Sequence, residues 1–278
     1  MSPADILLLR EINAAAAKRH PDPGTYTQQE RTTVERIHAG RPCPQGPVAM
    51  LPIAQLYVHD VPGLLPPEGA DLLQVLWCPF DRPGQNMPRT ALFWRSASAV
   101  GGVLAAPPQP SAIQSEHYLP RPCLVCPEQV TEFPSSAELN PGLRAQVRTW
   151  SVSRERRMPL PGAPNWSGGS EYDCALSVSP GWKVGGWAPW SFTDPAAQLC
   201  RDCGSLMVPM LTIASQEWQA GYDTWTPYED RLAAAAAKRD GTLPDPATPT
   251  LVTIGDGHNL QIYACPTSPQ HPHTASVQ

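Results

Sequence analysis

Three observations on this chain of 278 residues predict an α+β fold, rich in β structure and internally duplicated. Apolar segments of strand length recur between turns rich in proline and glycine, the pattern of a sheet protein. Two of these segments have an echo later in the chain. MLPIA at residues 50–54 returns as MLTIA at 210–214, and L-Q-x-x-x-C-P at 73–79 returns at 260–266. Two matches in the same order predict a pseudo-symmetric pair of β units. About 23 residues separate the first strings and about 50 the second, which assigns an insertion to residues 219–248. The third observation is a pair of capped helical patterns ahead of all of this. The expected layout is a single domain over 1–278, with a helical preface at 1–40, a first β unit at 41–134, a helix and linker at 135–170, and a second β unit at 171–278.

The preface opens with Ser2-Pro3-Ala4-Asp5, a serine cap, a proline at the first helical position and an acid three residues after the cap, which predicts a helix from 3 to about 18. Pro21, Pro23 and Gly24 break it. Thr27 and Glu30 then form a second capping box for a helix running to His38, with Gly40 as its stop. Strands are predicted at 48–57, 71–78 and 90–94. The segment 72–77 is apolar except for Gln74, so it reads as a strand buried on both faces. Gln74 is then an amide that must find partners in a core, or one that reads a ligand.

Residues 97–104 suggest a short helix weakened by Gly101-Gly102, and 123–133 suggest a further strand. Cys123 and Cys126 lie in that strand with Leu and Val between them and no glycine after them, which reads as core or edge thiols. Residues 140–156 look helical, with the cations of 154–157 at the favoured C-terminal end. The Pro- and Gly-rich run 158–169 is the best linker in the chain. In the insertion, 232–238 should form an exposed helix. Strands at 251–254 and 260–264 should be joined through the turn Gly255-Asp256-Gly257.

Composition limits the function classes. Nine Trp and 41% hydrophobic residues supply the burial that a disordered chain lacks. A net charge of −5 without a Lys/Arg run argues against a nucleic-acid footprint. No apolar run has the length of a spanning helix, and the N-terminal apolar run lacks a basic flank, so a cytoplasmic protein with no membrane partner is expected. In a reducing compartment, eight cysteines with C-x-x-C spacing point to metal and not to a disulfide framework.

The strongest chemical signal is Cys200-Arg201-Asp202-Cys203-Gly204. Two thiolates at this spacing can share one metal ion, and the glycine lets the turn curl around it. Closing a structural zinc site takes four ligands, and the other two are sought in the tail that carries Cys265, His271 and His273. The expected set is Cys200, Cys203, Cys265 and His273, with His271 or Cys78 as alternative fourth ligands. No G-x-S-x-G, H-E-x-x-H, Walker loop or G-x-G-x-x-G is present, and a turn explains Asp256 beside His258. The cluster Trp182, Gly185, Gly186, Trp187, Trp190 offers aromatic anchors for a peptide, though tryptophans beside glycines also suit a core.

Several of these motifs, taken in order, resemble the YwqG-like proteins, whose wider group includes programmed cell death protein 2 and its relatives. In the first half the likeness rests on Gly46-Pro47, the run 50–56 and Leu64-Leu65-Pro66-Pro67-Glu68-Gly69. In the second half it rests on Gly185-Gly186-Trp187, Asp194-Pro195, the run 211–215 and Gly255-Asp256-Gly257. It spans roughly 40–266. The chain departs from the family pattern at Thr212 and Ala214, where the family has Gln and Asp, and in its cysteine knuckle. The resemblance implies a non-enzymatic, chaperone-like module that binds a protein or peptide. Trp182, Trp187, Trp190 and Gln74 are its candidate contacts. The rival expectations are an immunity protein that masks a toxin and a metalloenzyme without a familiar motif.

Overall fold

The computed structural model describes residues 1–19, 25–39, 46–81, 84–157, 170–218, 224–240 and 245–278. The preface is helical. In α1 (Pro3–Arg19) the Asp5 N–H donates to Ser2 Oγ at 3.1 Å and the Ser2 N–H to Asp5 Oδ2 at 3.2 Å, the reciprocal cap that the sequence spells. In α2 (Gln28–Ala39) Thr27 and Glu30 do the same, at 2.8 Å for the Thr27 N–H and 3.3 Å for the Glu30 N–H. Each helix turns a narrow apolar stripe inward, Ile6, Leu9, Ile12 and Ala16 from α1, and Val34 and Ile37 from α2. The breaks at 20–24 and 40–45 and the linker at 158–169 lie outside the described residues.

Two antiparallel sheets follow. The first has the order β1 (Leu51–Tyr57), β2 (Leu72–Asp81), β3 (Pro88–Arg95). Helices α3 (Pro141–Arg157) and α4 (Glu171–Ala175) come next. The second sheet has the order β4 (Lys183–Val184), β5 (Val208–Ala214), β6 (Asn259–Ala264), β7 (Thr274–Val277), with α5 (Arg231–Asp240) between β5 and β6 in the chain. Leu73, Val75 and Trp77 of the first sheet, Leu211, Ile213, Leu260 and Ile262 of the second, Ile6, Leu9 and Ile12 of α1, and Val34 and Ile37 of α2 belong to one continuous buried cluster. The architecture is therefore α+β around one shared core. No helix among the described residues is long and apolar enough to cross a membrane.

The pairing of β1 with β2 and that of β5 with β6 follow the same scheme. Leu56↔Leu73, Gln55↔Gln74 and Ala54↔Val75 are followed by an irregularity and then Pro52↔Leu76. Ile213↔Leu260, Thr212↔Gln261 and Leu211↔Ile262 are followed by an irregularity and then Pro209↔Tyr263. Proline cannot donate to a ladder, so a bulge beside it is where a strand tolerates it. The letters M-L-x-I-A stand three residues out of step with this register, and it is Pro52 and Pro209 that correspond.

Several segments differ from their sequence expectation. Residues 123–133 form no strand: Pro122, Pro127 and Pro134 remove donors, and residues 122–131 are exposed coil. Residues 251–254 make only an isolated bridge, Ile254↔His258, because Leu251 adopts a φ of 57° and the turn at Gly255 closes at once on His258. Strand β7 has no strong signal of its own and completes the sheet by pairing on β6. Gln74 is not a core amide. Burial in β2 alternates, so Gln74 lies on the outer face, half-buried, donating to Gln55 Oε1 at 2.9 Å and accepting from Arg95 Nε at 2.8 Å.

Candidate metal centre

Antiparallel pairing builds the site. Val208 pairs with Ala264, so the loop entering β5 and the residue leaving β6 meet at one end of the sheet. The entering loop is the knuckle. A bridge between Leu199 and Leu206 closes it, the Gly204 N–H donates to Cys200 O at 2.9 Å, and Gly204 takes the positive φ, 72°, that the turn requires. The leaving residue is Cys265. The chain then turns through Ser268, whose carbonyl accepts from the His271 N–H at 3.2 Å, and comes back as β7. This hairpin folds His271 over Cys265.

The ligand atoms of Cys200, Cys203, Cys265 and His271 all lie within 4.8 Å of one another, and this group could hold a metal ion. Cys203 Sγ is 3.5 Å from Cys265 Sγ, His271 Nδ1 is 3.3 Å from Cys265 Sγ, and Cys200 Sγ is 3.6 Å from His271 Nδ1. A tetrahedral ion at usual thiolate and imidazole bond lengths sets such atoms about 3.6–3.8 Å apart, so the donors stand close to the geometry of a filled site. Cys200 and Cys265 are buried and Cys203 is at the surface.

Two of the four donors are electrostatically disposed toward a cation. Hydrogen bonds from Ser205 hold the Cys203 thiol down at about 6. Burial pushes Cys265 up, but the N–H groups of Ser268 and Thr267 and the His271 ring outweigh it and bring the thiol below its usual value. Burial raises the Cys200 thiol, which needs the ion itself to lose its proton.

The structure corrects the fourth ligand. His273 lies outside the cluster and instead makes a 2.8 Å hydrogen bond with Thr90 Oγ1 of β3, where burial lowers its basicity. It adjoins the first residue of β7, whose direction is fixed by pairing, whereas His271 sits in the turn that closes over Cys265. Cys78 is half-buried and also stands apart from the cluster.

The tryptophan and glycine cluster has a second centre of polar contacts. The Glu132 carboxylate accepts from Lys183 Nζ at 2.8 Å, from the Ser179 N–H at 2.6 Å and from the Trp187 N–H. Both charges of this pair are nearly buried, with side-chain exposures of 11% for Lys183 and 8% for Glu132. A Cβ on Gly186 would lie 2.0 Å from Glu132 Oε1, so only glycine admits the carboxylate. Trp182 donates its indole N–H to Ala214 O at 2.9 Å and packs on the core, and Trp190 packs beside Cys200 and Cys265. Trp187 alone of the three is well exposed.

A groove of about 300 Å³ lies elsewhere, lined by Phe133, Gln146, Val147, Trp150, Tyr172 and Leu176. None of the three tryptophans nor Gln74 belongs to it. The spacing of Gln146, Val147 and Trp150 on one face of α3 was its only signal in the sequence.

No protein-family model matches the chain, and no curated protein or solved structure shows significant similarity to it.

Proposed function

We propose that the protein is a non-catalytic binding module whose second sheet is fastened by one structural zinc. The observation that carries this reading is the donor set: three sulfurs and one imidazole nitrogen lie within 4.8 Å of one another and could fill the four positions of a tetrahedral ion. A set of soft thiolates with one histidine favours zinc among common divalent ions, and four protein ligands leave no position for a substrate or an activated water. X-ray absorption on protein purified without added metal tests it. Three sulfurs and one nitrogen around zinc is the expected result, and a bound water or a second open position would favour a metalloenzyme instead.

The ligand of such a module is a protein or peptide with an aromatic or aliphatic anchor. The exposed Phe133 and Trp150 beside the groove support this, because interfaces concentrate their energy in such side chains. Trp187, whose backbone N–H donates to Glu132, adds a third exposed aromatic outside the groove. Kinship with the YwqG-like proteins and a chaperone-like role belong to the same proposal, as does an internal duplication. The common register, the proline bulges and the L-Q-x-x-x-C-P strings of β2 and β6 support the duplication. Trp150→Ala and Trp187→Ala, assayed by pull-down from the source cell with mass spectrometry, separate the two surfaces. A set of captured proteins unchanged by either substitution would remove both as binding sites.

A further inference from the structure

The second C-x-x-C of the chain, Cys123-Leu124-Val125-Cys126, is more exposed than its sequence suggests. Apolar residues between two thiols argue for a core, yet both cysteines are exposed and unpaired, Leu124 is fully exposed at 100% and Val125 at 63%. The loop that carries them is held at both ends. At one end the Arg121 N–H donates to Thr250 O at 2.7 Å and Arg121 Nε to Pro249 O at 2.7 Å. At the other, Glu132 is locked onto Lys183 and the Phe133 N–H donates to Leu176 O at 3.1 Å. Residues 122–131 project between these anchors.

We infer that this loop is a zinc-bridged contact between two copies of the chain, each copy supplying Cys123 and Cys126 to one shared ion. Two thiolates at this spacing occupy two of the four positions of zinc. Among the described residues no third ligand gathers with them, since the one cluster of such side chains is the Cys200 site. A twofold axis through the ion supplies the missing pair from an identical loop, which is how a closed symmetric dimer meets a requirement that one chain leaves half filled. The charge pattern permits the approach: Glu128 is the only charged residue in 122–131, so two tips can meet without strong repulsion. The same contact covers Leu124, which in a monomer would leave a large apolar side chain wholly in water. On binding, four thiols lose their protons to solvent and four sulfur–zinc bonds form, with no change of oxidation state.

The inference is independent of the zinc at Cys200, and one set of measurements separates the two. The full chain is kept in a phosphine reductant with zinc sulfate, and its mass in solution and metal content are determined. The expected result is a dimer with about three zinc ions per two chains. Cys123→Ser combined with Cys126→Ser should give a folded monomer with about one zinc per chain, because both side chains are exposed. Leu124→Ser should keep the metal and weaken dimerisation by about tenfold. A monomer at every zinc concentration, a dimer that survives in the double variant or in a chelator, or equal zinc content in wild type and double variant would each overturn the inference. Failure of the Cys200 site would show differently, as the loss of about one zinc per chain with dimerisation intact.

Discussion

The outer faces of the two sheets begin from the same strand pairing and end in different environments. On the first sheet Gln55, Gln74 and Arg95 form a polar ladder near solvent, beside an exposed Phe93. At the corresponding register of the second sheet Gln261 has no exposure at all. It accepts from Thr212 Oγ1 at 2.7 Å and donates to Ile262 O at 2.9 Å. A buried amide costs little only when its bonds are made, and here the Thr212 hydroxyl and the neighbouring backbone make them. Two residues further along β6, Tyr263 packs with Ala188, Cys200, Met207 and Cys265 in a small buried cluster that includes two of the candidate metal ligands. Equivalent strands thus acquire a core face or a solvent face according to what lies across them. Two buried clusters stand as candidate clips for this sheet, the cysteine and histidine cluster and the Glu132–Lys183 pair.

The comparison is broken most severely at the metal. If the cluster holds the proposed zinc, Cys265→Ser or His271→Ala should lose the ion and produce the largest fall in melting temperature, because a structural zinc would contribute on the order of 10–16 kcal/mol of apparent binding energy. Cys78→Ser, at the corresponding place on the first sheet, should leave metal content and melting nearly unchanged. Elemental analysis with thermal denaturation reads both.

The second clip should be the next largest. Glu132→Gln leaves the Lys183 ammonium nearly buried without its counter-charge, which costs about 3–5 kcal/mol in chemical denaturation. Burial alone pushes the Glu132 carboxyl up, but the Lys183 charge and the donors from Trp187 and Ser179 outweigh it and hold it below its usual value. The folded state therefore binds this proton less readily than the unfolded chain. The stabilisation is complete above the ordinary carboxylate range of about 4 and is lost as the pH falls through the lower folded value. The gap between wild type and variant should close in acid. A gap that persists there would mean that the effect is steric.

Exchanging the two glutamines sharpens the contrast further. Gln261→Leu strands the Thr212 hydroxyl in a dry face and should cost about 1–3 kcal/mol. Gln74→Leu should stay within about 0.5 kcal/mol, as surface changes do. Equal costs would show that the two faces are alike in solution. The smallest effect at the site concerns the two histidines of the tail. His273→Ala should retain the metal and cost about 1 kcal/mol for its bond to Thr90, in contrast to the metal loss expected of His271→Ala.

How much of this was legible in the sequence follows from the range of each interaction. Both helix caps were, because a capping box joins residues three apart and needs nothing else. The central strands were, because their apolar runs lie between turn residues. The knuckle was too, since Cys200, Cys203 and Gly204 carry their own turn, and Cys265 followed from the need for further ligands.

Only the tertiary structure decided the rest. It chose His271 over His273, because that depends on where the chain turns before β7, a strand whose formation rests on an edge that β6 provides. It put Gln74 near water and Gln261 in a dry face, although both stand in the same L-Q-x-x-x-C-P string, because burial is set by the segment packed across a strand. It left Cys123 and Cys126 at the surface, since an apolar pair enters a core only where a sheet edge or a partner is present to receive it. Local hydrogen bonds are written in neighbouring residues, whereas burial is a property of the two surfaces that meet, and one segment of sequence holds only one of them.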